Sequence, residues 1–435
     1  MGMNTVACRA ANRSGLLLGT ALAVCILLCC ARDVPASPGG SSVQFLHYWT
    51  GALSGGVGEL VDAYNRQHPP VGLSVSGMEH ETFKSGIKGL LISGRAPGIF
   101  SYWAGARTQA MVDAGHLVPI DDIWAQSGLD EAFSHAVADA CTYDGKKYAI
   151  PVTQHLVAFF YDVRLFKRLG LAPPKDWAQF LDVCEAIRQA GVTPLALGSR
   201  EAWPAQFWFD YLLLRTAGPA YRQRLMEGSA SYGDPEVRAA FAMWRELLER
   251  RFFNPSPESL DWAQAAALVR QGKAGMTLMG TWAIGLFNEK LEWEEESGYD
   301  FFVFPVVDPA AQPVALGPID VLVASRVSDP AGAKAALSYF AMAEPQMEMS
   351  RGSGALAPNL RVPESFYSPL KQRILKAVRE TPNWAFAMDL STPPPAADVV
   401  LGTFSAFLRN PEQMDRILAA TQRKLESSFK ATGSP

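Results

Sequence analysis

The sequence contains none of the short motifs that usually mark a catalytic site. It has no Gly-x-x-x-x-Gly-Lys-Ser/Thr loop, no His-Glu-x-x-His helix, no Gly-x-Ser-x-Gly turn and no Cys-x-x-Cys pair. These absences argue against a P-loop nucleotide hydrolase, a zinc protease, a serine hydrolase and a thiol oxidoreductase. We therefore predict a protein that is not an enzyme and that uses no cofactor.

Two segments come close to such motifs without completing them. Residues 51–56 are rich in Gly, but no Lys-Ser/Thr follows, so a loop that enters a helix is the better explanation. Glu79, His80 and Glu81 are possible metal ligands, but adjacent side chains rarely point at one ion. We predict a solvated turn there and no metal site.

Charge is scarce as well, and neither sign dominates. Charged residues are 19% of the 435, and 39 Lys and Arg against 43 Asp and Glu leave a formal net charge of −4. Because nucleic-acid binding needs a concentrated basic surface, we predict no nucleic-acid partner. Hydrophobic residues make up 49% of the chain, which is enough for two well-packed domains at this length.

The long hydrophobic run of the sequence stands at its N-terminus. Arg9 and Arg13 precede an apolar segment at 15–28, which is short for a membrane span and typical of a secretory signal. We predict a signal peptide over residues 1–30, with an uncleaved membrane anchor as the alternative.

A Cys at the end of such a segment resembles the lipobox of bacterial lipoproteins, in which that Cys carries the lipid. With Cys30 as the acceptor, Cys29 fills the small-residue position before it, whereas Cys29 itself would follow the bulky Leu28. We therefore favour Cys30. Residues 31–42 are rich in Pro, Gly and Ser and predict a flexible tether. We expect an exported protein that is lipid-anchored to the cell membrane, on its periplasmic or outer face.

Cysteine is rare beyond this leader. Four of the six cysteines lie within residues 1–30, and the other two are Cys141 and Cys184. Two cysteines in an exported protein suggest a disulfide. Two buried thiols are the alternative, since the sequence does not show whether the Cα atoms come within bonding distance.

Short apolar runs alternate with stretches of helical period along the rest of the chain. Runs that predict strands lie at 43–49, 98–102, 147–152, 156–161, 193–198, 275–280, 301–304 and 321–324. Asp176 is the predicted cap of one helix between them, and Trp177 and Trp244 fall on buried helical faces. This alternation predicts an α/β fold with helices on both faces of mixed, mostly parallel sheets.

Tryptophan recurs in the loops that follow predicted strands, at Trp49, Trp103, Trp203 and Trp282. Charged side chains stand in the same loops, at Arg107, Glu201 and Asp320. Ligands of α/β proteins bind beyond the carboxyl ends of the strands, and a sugar ring suits a flat aromatic face edged by polar groups. These residues therefore indicate a sugar site. Partly buried packing is the alternative for each Trp.

An ordered set of motifs resembles the sugar-binding proteins of bacterial ABC transporters. The motifs are Phe-Leu-His-Tyr-Trp-Thr-Gly at 45–51, Ser-Tyr-Trp-Ala at 101–104, Asp-Gly-Lys-Lys-Tyr-Ala-Ile-Pro at 144–151, Trp-Pro-Ala at 203–205 and Met-Gly-Thr-Trp-Ala at 279–283. One such motif is weak evidence, but the set covers nearly the whole chain after the leader in the right order.

The resemblance implies a two-lobed, hinge-linked periplasmic-binding-protein fold of type II-like topology. It places an N-terminal lobe at 43–150 plus 306–345 and a C-terminal lobe at 151–305 plus 346–435. The sugar would lie between the lobes, and closure of the lobes would supply affinity.

The resemblance also implies roles for individual residues. Trp103 and Arg107 match an aromatic and an arginine of the maltose-binding members, and Trp203 and Trp282 match aromatics of their second lobe. His155 stands at a hinge-side position where those members have a carboxylate.

Two departures from the maltose-binding pattern favour a short ligand. Ala106 replaces an expected acidic residue, and residues 396–398 lack an expected aromatic. We therefore predict a monomeric receptor that binds a mono- or disaccharide and delivers it to the permease subunits of an ABC transporter.

Two other functions stay open at this point. An exported glycoside hydrolase would need two carboxylates across the cleft, for which Glu201 and Asp320 are the pair to test. A receptor for a polyol phosphate would need more Arg and Lys around the cleft than Arg107 alone.

Overall fold

The computed structural model describes residues 42–67, 69, 71–326 and 330–431. The predicted signal peptide, both candidate lipidation cysteines and the predicted tether up to residue 41 lie outside the described residues. Within the described ranges, no helix combines the length and the apolar character needed to cross a membrane.

The strands of the described part are β1 (Ser42–His47), β2 (Gly72–Gly77), β3 (Ile99–Trp103), β4 (Thr142–Tyr143), β5 (Lys146–Lys147), β6 (Ala149–Gln154), β7 (Val157–Asp162), β8 (Thr193–Ala196), β9 (Ala274–Gly280), β10 (Tyr299–Phe302), β11 (Val314–Leu316), β12 (Ile319–Ala324) and β13 (Asn383–Ala385).

The helices are α1 (Val57–Arg66), α2 (His80–Ile92), α3 (Ala106–Asp113), α4 (Asp121–Ser127), α5 (Leu129–Ala132), α6 (His135–Ala140), α7 (Val163–Leu169), α8 (Trp177–Gln189), α9 (Trp203–Thr216), α10 (Gly218–Glu227), α11 (Pro235–Glu249), α12 (Trp262–Arg270), α13 (Trp282–Gly285), α14 (Pro330–Phe340), α15 (Ala343–Ser353), α16 (Pro369–Glu380), α17 (Met388–Ser391), α18 (Pro394–Arg409) and α19 (Met414–Ala431). Short 3-10 turns lie at Gly51–Leu53, Pro257–Ser259, Glu364–Phe366 and Pro411–Gln413, and a π-helical turn at Leu286–Lys290.

The first large sheet has the strand order β2-β1-β3-β12-β6. Strand β1 is parallel to both its neighbours, with Phe45 opposite Val75 on one side and Ile99 on the other. Every residue of β3 and of β12 is buried, as expected for strands covered by helices on both faces. Side chains of α1, α2 and α14 complete this first hydrophobic core.

The second large sheet has the strand order β10-β7-β9-β8. Phe160 of β7 lies opposite Thr277 of β9 and Phe301 of β10, and both pairings are antiparallel. Helices α8, α9, α11 and α12 cover the sheet and form the second hydrophobic core. The small sheet of β11 and β13 packs into that same core.

The sheets are mixed, as predicted, but parallel pairs do not predominate. In the two large sheets three neighbouring pairs are parallel and four are antiparallel. The reason is topological, because β7 enters the second sheet directly after β6 of the first, and β12 enters the first sheet directly after β11, which packs in the second core. They do not follow a crossover helix within the same sheet, which parallel pairing requires.

The boundaries between the two cores also differ in detail from the prediction. Strand β6 stays in the first sheet as far as Gln154, whereas the second lobe was expected from residue 151. Residues 314–316 pack in the second core, although 306–345 were assigned to the first lobe. The chain therefore re-enters the first sheet at Ile319.

The predicted disulfide is wrong. Cys141 is buried in the first core and Cys184 in the second, and both are free thiols. Burial raises the pKa of each thiol, so both are protonated and inert at neutral pH. The alternative of two buried thiols is the one that the structure shows.

Helix signals in the sequence are confirmed where the pattern was strongest. Asp176 caps α8, since its carboxylate accepts the Gln179 amide at 2.9 Å. Trp244 is fully buried on α11. Trp177 is only partly buried against the second core, because it occupies the first turn of α8, at the edge of the sheet.

Burial of His47 at the end of β1 is expected to weaken the fold in mild acid. His47 is only 7% exposed to solvent. Burial lowers the pKa of the imidazole from 6.5 to about 4, against a smaller opposing effect of a hydrogen bond to the Trp49 backbone. Between these two pKa values, His47 is therefore protonated in the unfolded chain but not in the folded protein. As the pH falls from the unfolded pKa toward the folded one, the free energy of unfolding drops, by about 2 kcal/mol at pH 5.

Chemical denaturation at neutral pH and at about pH 5 measures this effect. The stability lost between the two conditions should be about 2 kcal/mol smaller in a His47→Gln variant than in the wild type. The same change at His135, whose side chain is 92% exposed, removes no buried imidazole and is the control. Equal losses in His47→Gln and the wild type would contradict the assignment.

Candidate functional site

A cavity of about 800 Å³, including the space at its mouth, lies between the two large sheets. Part of its wall comes from the ends of strands, where ligands of α/β proteins bind, and part from helices α2, α9, α15 and α17. The residues that line it are Tyr48, Trp49, Ala52, Leu53, Gly55, His80, Lys84, Trp103, His155, Trp203, Gln206, Phe207, Trp282, Gly285, Pro318, Asp320, Met349, Gly352, Ser353, Ala387, Asp389 and Leu390.

The first-sheet side of the cavity is an aromatic wall. Tyr48 follows β1 and stacks on Trp103 at the end of β3, with ring centroids 4.3 Å apart and planes 19° from parallel. His80, at the start of α2, meets both rings edge-on at 5.4 and 5.3 Å. Trp49 lies beside Tyr48. These contacts fix flat apolar surfaces before any ligand arrives.

The second-sheet side is a matching aromatic wall. Trp203 and Phe207 are four residues apart on α9 and so share one helical face. Their rings lie 5.8 and 6.2 Å from that of Trp282, which begins α13 after β9. The indole N–H groups of Trp203 and Trp282 are buried without a partner among the described residues. Each is a donor available to a polar ligand.

At two glycines the backbone lies so close to a neighbouring group that only glycine fits, and this close packing positions side chains of the cavity. A Cβ on Gly280 would fall 1.9 Å from the Trp282 ring, so the indole packs directly on the backbone of β9. A Cβ on Gly317 would fall 1.6 Å from the His155 carbonyl oxygen. Any side chain at Gly317 would therefore push apart the segments that carry His155 and Asp320.

Asp320 is the centre of a buried polar group at the base of the cavity. Its Oδ2 accepts the Thr153 hydroxyl at 2.6 Å and lies 3.4 Å from His155 Nε2. His155 Nδ1 is in turn 3.0 Å from the Thr281 hydroxyl. The buried Tyr48 hydroxyl lies close to the same carboxylate and interacts with it electrostatically.

The electrostatics of this group keep Asp320 ionised. Burial raises the pKa of the carboxyl, but the hydrogen bond and attraction of His155 and the hydrogen bond from Thr153 outweigh it, so the pKa lies below its ordinary value. Burial and the neighbouring Asp320 charge raise the pKa of Tyr48, which stays protonated. The site thus offers a charged acceptor and a phenolic donor side by side.

Asp389 is a second buried acid, held by reciprocal bonds to α9. Its Oδ1 accepts Gln206 Nε2 at 2.9 Å, and its backbone N–H donates to Gln206 Oε1 at 2.9 Å. Arg107 donates from Nε to the Asp389 carbonyl at 3.2 Å and brings Nη2 within 3.6 Å of Oδ2. The arginine therefore holds Asp389 from behind and does not line the cavity.

Of the eight residues predicted for the site, the structure brings six together around the cavity: Trp49, Trp103, His155, Trp203, Trp282 and Asp320. Arg107 stands behind Asp389, and Glu201 does not line the cavity. Glu201 lies in the loop before α9, where burial raises its pKa.

Sequence reasoning missed other lining residues, chiefly Tyr48, Lys84, Gln206 and Asp389. The sequence carries a signal for Gln206, which lies one turn beyond Trp203 on the same face of α9. Asp389 offers none, because the fold brings it from a distant segment. His80 was assigned to a solvated turn, but its ring faces the cavity, and the Glu79 carboxylate caps α2 instead.

The carboxylate pair proposed for a glycoside hydrolase, Glu201 and Asp320, does not come together in the cavity. A general acid must be protonated at working pH, but Asp320 is ionised and Glu201 stands outside the cavity. Among the described residues, no three His, Cys, Asp or Glu side chains converge in a way that could hold a metal ion.

Comparison with known proteins identifies the group to which this arrangement belongs. Residues 51–347 match the family of bacterial extracellular solute-binding proteins. The chain belongs to this family. It is therefore a solute-binding protein of the extracellular or periplasmic kind, a component of a transporter and not an enzyme.

Two relatives illustrate the match in sequence. The chain is 28% identical over 349 residues to an uncharacterised ABC transporter extracellular-binding protein of Pyrococcus horikoshii, over 77% of this chain and 75% of that one. It is 27% identical over 304 residues to a probable sugar-binding periplasmic protein of Mesorhizobium japonicum, over 67% and 69% of the two chains.

Solved structures show the same fold. The solute receptor AcbH matches with a TM-score of 0.84 at 24% identity, over 90% of this chain and 100% of AcbH. A chitin oligosaccharide binding protein matches with a TM-score of 0.80 at 23% identity, over 89% and 98%. The solute-binding protein thus has the two-lobed α/β periplasmic-binding-protein fold that its motifs predicted.

Proposed function

We propose that this protein is the sugar-binding component of an ABC-type importer and that it binds a mono- or disaccharide in the cavity between its lobes. The observation that carries the proposal is the pair of facing aromatic walls with unpartnered polar groups at their edges. A pyranose has an apolar C–H face for each wall and hydroxyls for the indole N–H groups and for Asp320.

Two relatives support the class of ligand. One is named a probable sugar-binding periplasmic protein, and the AcbH structure is described as having an exclusive substrate preference for β-D-galactopyranose. The likeness to AcbH covers nearly all of this chain, and the missing aromatic at 396–398 removes one stacking surface for a long chain of sugars. A ligand of one or two rings suits this cavity best.

The charges of the cavity count against a polyol phosphate. Lys84 is the only Lys or Arg among the lining residues, and it is paired with Glu81 at 3.1 Å. Asp320 and Asp389 place two carboxylates in the same cavity. A phosphate group would meet net negative charge there, whereas a neutral sugar would not.

We infer that the lobes close around the ligand by rotation at the segments that cross between the sheets. One crossing lies between Gln154 and Val157, and another comes just before Ile319. Gln346 supports the first from α15, since its Nε2 donates to the Pro151 carbonyl at 2.8 Å. A ligand that touches both aromatic walls favours the closed arrangement.

The test is a titration of intrinsic Trp fluorescence, on the protein from residue 41 onward, with a panel of neutral mono- and disaccharides. We expect saturation by one sugar with a dissociation constant of about 1 μM, since closure over stacked rings is favourable. The sugar should be recovered unchanged. If the folded protein binds no sugar of the panel, the proposal is refuted. Release of hydrolysis products would instead point to an enzyme.

We propose further that Cys30 carries a lipid that holds the protein at the membrane. The support is the lipobox-like end of the apolar segment at 15–28. Labelled palmitate should be incorporated into the full chain and into a Cys29→Ser variant but not into Cys30→Ser. Retention of label in Cys30→Ser and its loss in Cys29→Ser would reverse the assignment.

A further inference from the structure

Lys84 occupies an unusual place in the cavity. It projects from α2 of the first lobe, and its ammonium lies 5.8 Å from the ring of Trp103 and 5.8 Å from that of Trp203, which belongs to the second lobe. A cation held between two aromatic faces is stabilised by both. The ammonium therefore stands where the two aromatic walls meet and where a bound ligand would pass between them.

Glu81 neutralises this cation. Its Oε1 accepts from Lys84 Nζ at 3.1 Å and lies 2.8 Å from His80 Nδ1. Burial raises the pKa of Glu81, but its bonds to His80 and Lys84 outweigh burial and bring the pKa to about 2. Burial and the Lys84 charge lower the pKa of His80. At neutral pH the cluster is therefore one carboxylate, one ammonium and one neutral imidazole.

The pairing decides what charge a ligand can carry at this end of the cavity. An anionic sugar would need a cation free to receive its carboxylate, and Lys84 is the only Lys or Arg that lines the cavity. Glu81 already occupies that cation, while Asp320 and Asp389 would repel a second anion. Hydroxyl groups, in contrast, can share the ammonium with Glu81 because Lys has three donors.

We propose that Glu81 is a specificity-determining residue that keeps Lys84 neutralised and so excludes uronic acids and other anionic sugars from the cavity. The inference rests on the proposed function, since it names the charge class of the sugar at the same site. It assigns a role to a side chain that stands behind the cavity wall and does not line it.

The experiment compares the neutral sugar found by titration with its own uronate, the same ring with the C6 hydroxymethyl group oxidised. The measured quantity is the ratio of the two dissociation constants. We expect the wild type to favour the neutral sugar, and Glu81→Gln to shift the ratio toward the uronate by about tenfold. Adding Lys84→Met to Glu81→Gln should remove the shift, because no cation is then left.

Glu79→Gln is the matched control. It removes the same charge two residues away. The Glu79 carboxylate accepts from Glu81 N and from Thr82, and it makes no hydrogen bond to Lys84 among the described residues. Its ratio should stay within about twofold of that of the wild type. An unchanged ratio in a folded Glu81→Gln protein, or an equal shift in Glu79→Gln, would overturn the inference.

Two further outcomes are separable. If Glu81→Gln does not fold, Lys84→Met tests the pair from the other side, because the unpaired Glu81 charge should disfavour the uronate further. A Lys84→Met protein with the ratio of the wild type would overturn the inference. Failure of the folded wild type to bind either sugar would instead refute the proposed function itself.

Discussion

Replacement of Arg222 by Met is expected to lower the free energy of unfolding by about 3–5 kcal/mol, the largest effect we expect from a single change outside the aromatic core. The reason is the carboxylate that the change would strand. Asp210 on α9 is fully buried, and its Oδ1 accepts Arg222 Nε at 2.7 Å. Without the guanidinium, that charge stays in the second core with no cation to balance it.

The pair also anchors a segment that reaches the cavity. Asp210 Oδ2 accepts the Met388 amide at 3.0 Å, and Arg222 Nη2 donates to the Phe386 carbonyl at 2.6 Å. These bonds hold the turn that presents Asp389. The Arg222→Met variant should therefore bind sugar more weakly as well as unfold more readily.

Urea denaturation followed by Trp fluorescence measures the loss, and two variants make it specific. Arg224→Met makes the same change two residues away, at an exposed position of α10, and should cost less than about 0.5 kcal/mol. Combining Asp210→Asn with Arg222→Met should recover part of the loss, because no charge is then left buried. A loss below about 1 kcal/mol in Arg222→Met would show that water reaches the pair.

Much of the fold follows from sequence patterns whose physical cause is local. A strand buried on both faces gives a continuous apolar run, which is why β7 and β9 were found within a residue or two of their ends. The Asp176 cap is a contact within one turn of helix. The direction of strand pairing could not be predicted in this way, because it depends on the lobe from which the chain enters the strand. No local pattern shows that the chain reaches β12 of the first core from the second core.

The residues of the candidate site also divide into those that a local sequence pattern predicts and those that it does not. Trp103 ends a strand, and Trp49 and Trp282 each come two residues after one, so a rule about strand ends was enough to find them. Asp389 could not be found by that rule, because it reaches the cavity through the Asp210–Arg222 anchor and lies far along the chain from Gln206. The disulfide failed for a related reason: cysteine counting cannot tell that two thiols lie in separate cores.

Replacement of Asp320 by Asn is expected to raise the dissociation constant of the sugar about 100-fold, or nearly 3 kcal/mol, with a much smaller effect on stability. Asp320 is 4% exposed, and its Oδ2 is already taken by Thr153. A ligand hydroxyl would use the acceptor capacity of the carboxylate that Thr153 leaves. An amide at this position is uncharged, accepts more weakly and has one acceptor oxygen in place of two, so Thr153 and a ligand hydroxyl would compete for it.

The pH dependence separates this role from general packing. Because the pKa of Asp320 lies below its ordinary value, the ionised, binding form persists as the pH falls, and wild-type affinity should be lost only at a lower pH than an ordinary Asp carboxyl would give. Asn at this position does not titrate, so its weak binding should lack that loss of affinity in acid.

Calorimetry of both proteins, with Asp308→Asn as the control, measures the difference. The Asp308 carboxylate accepts the nearby Ala310 amide and lies outside the cavity. A change of less than about threefold in Asp320→Asn would mean that the sugar is held by the aromatic walls alone and that Asp320 serves only to order His155 and Thr153.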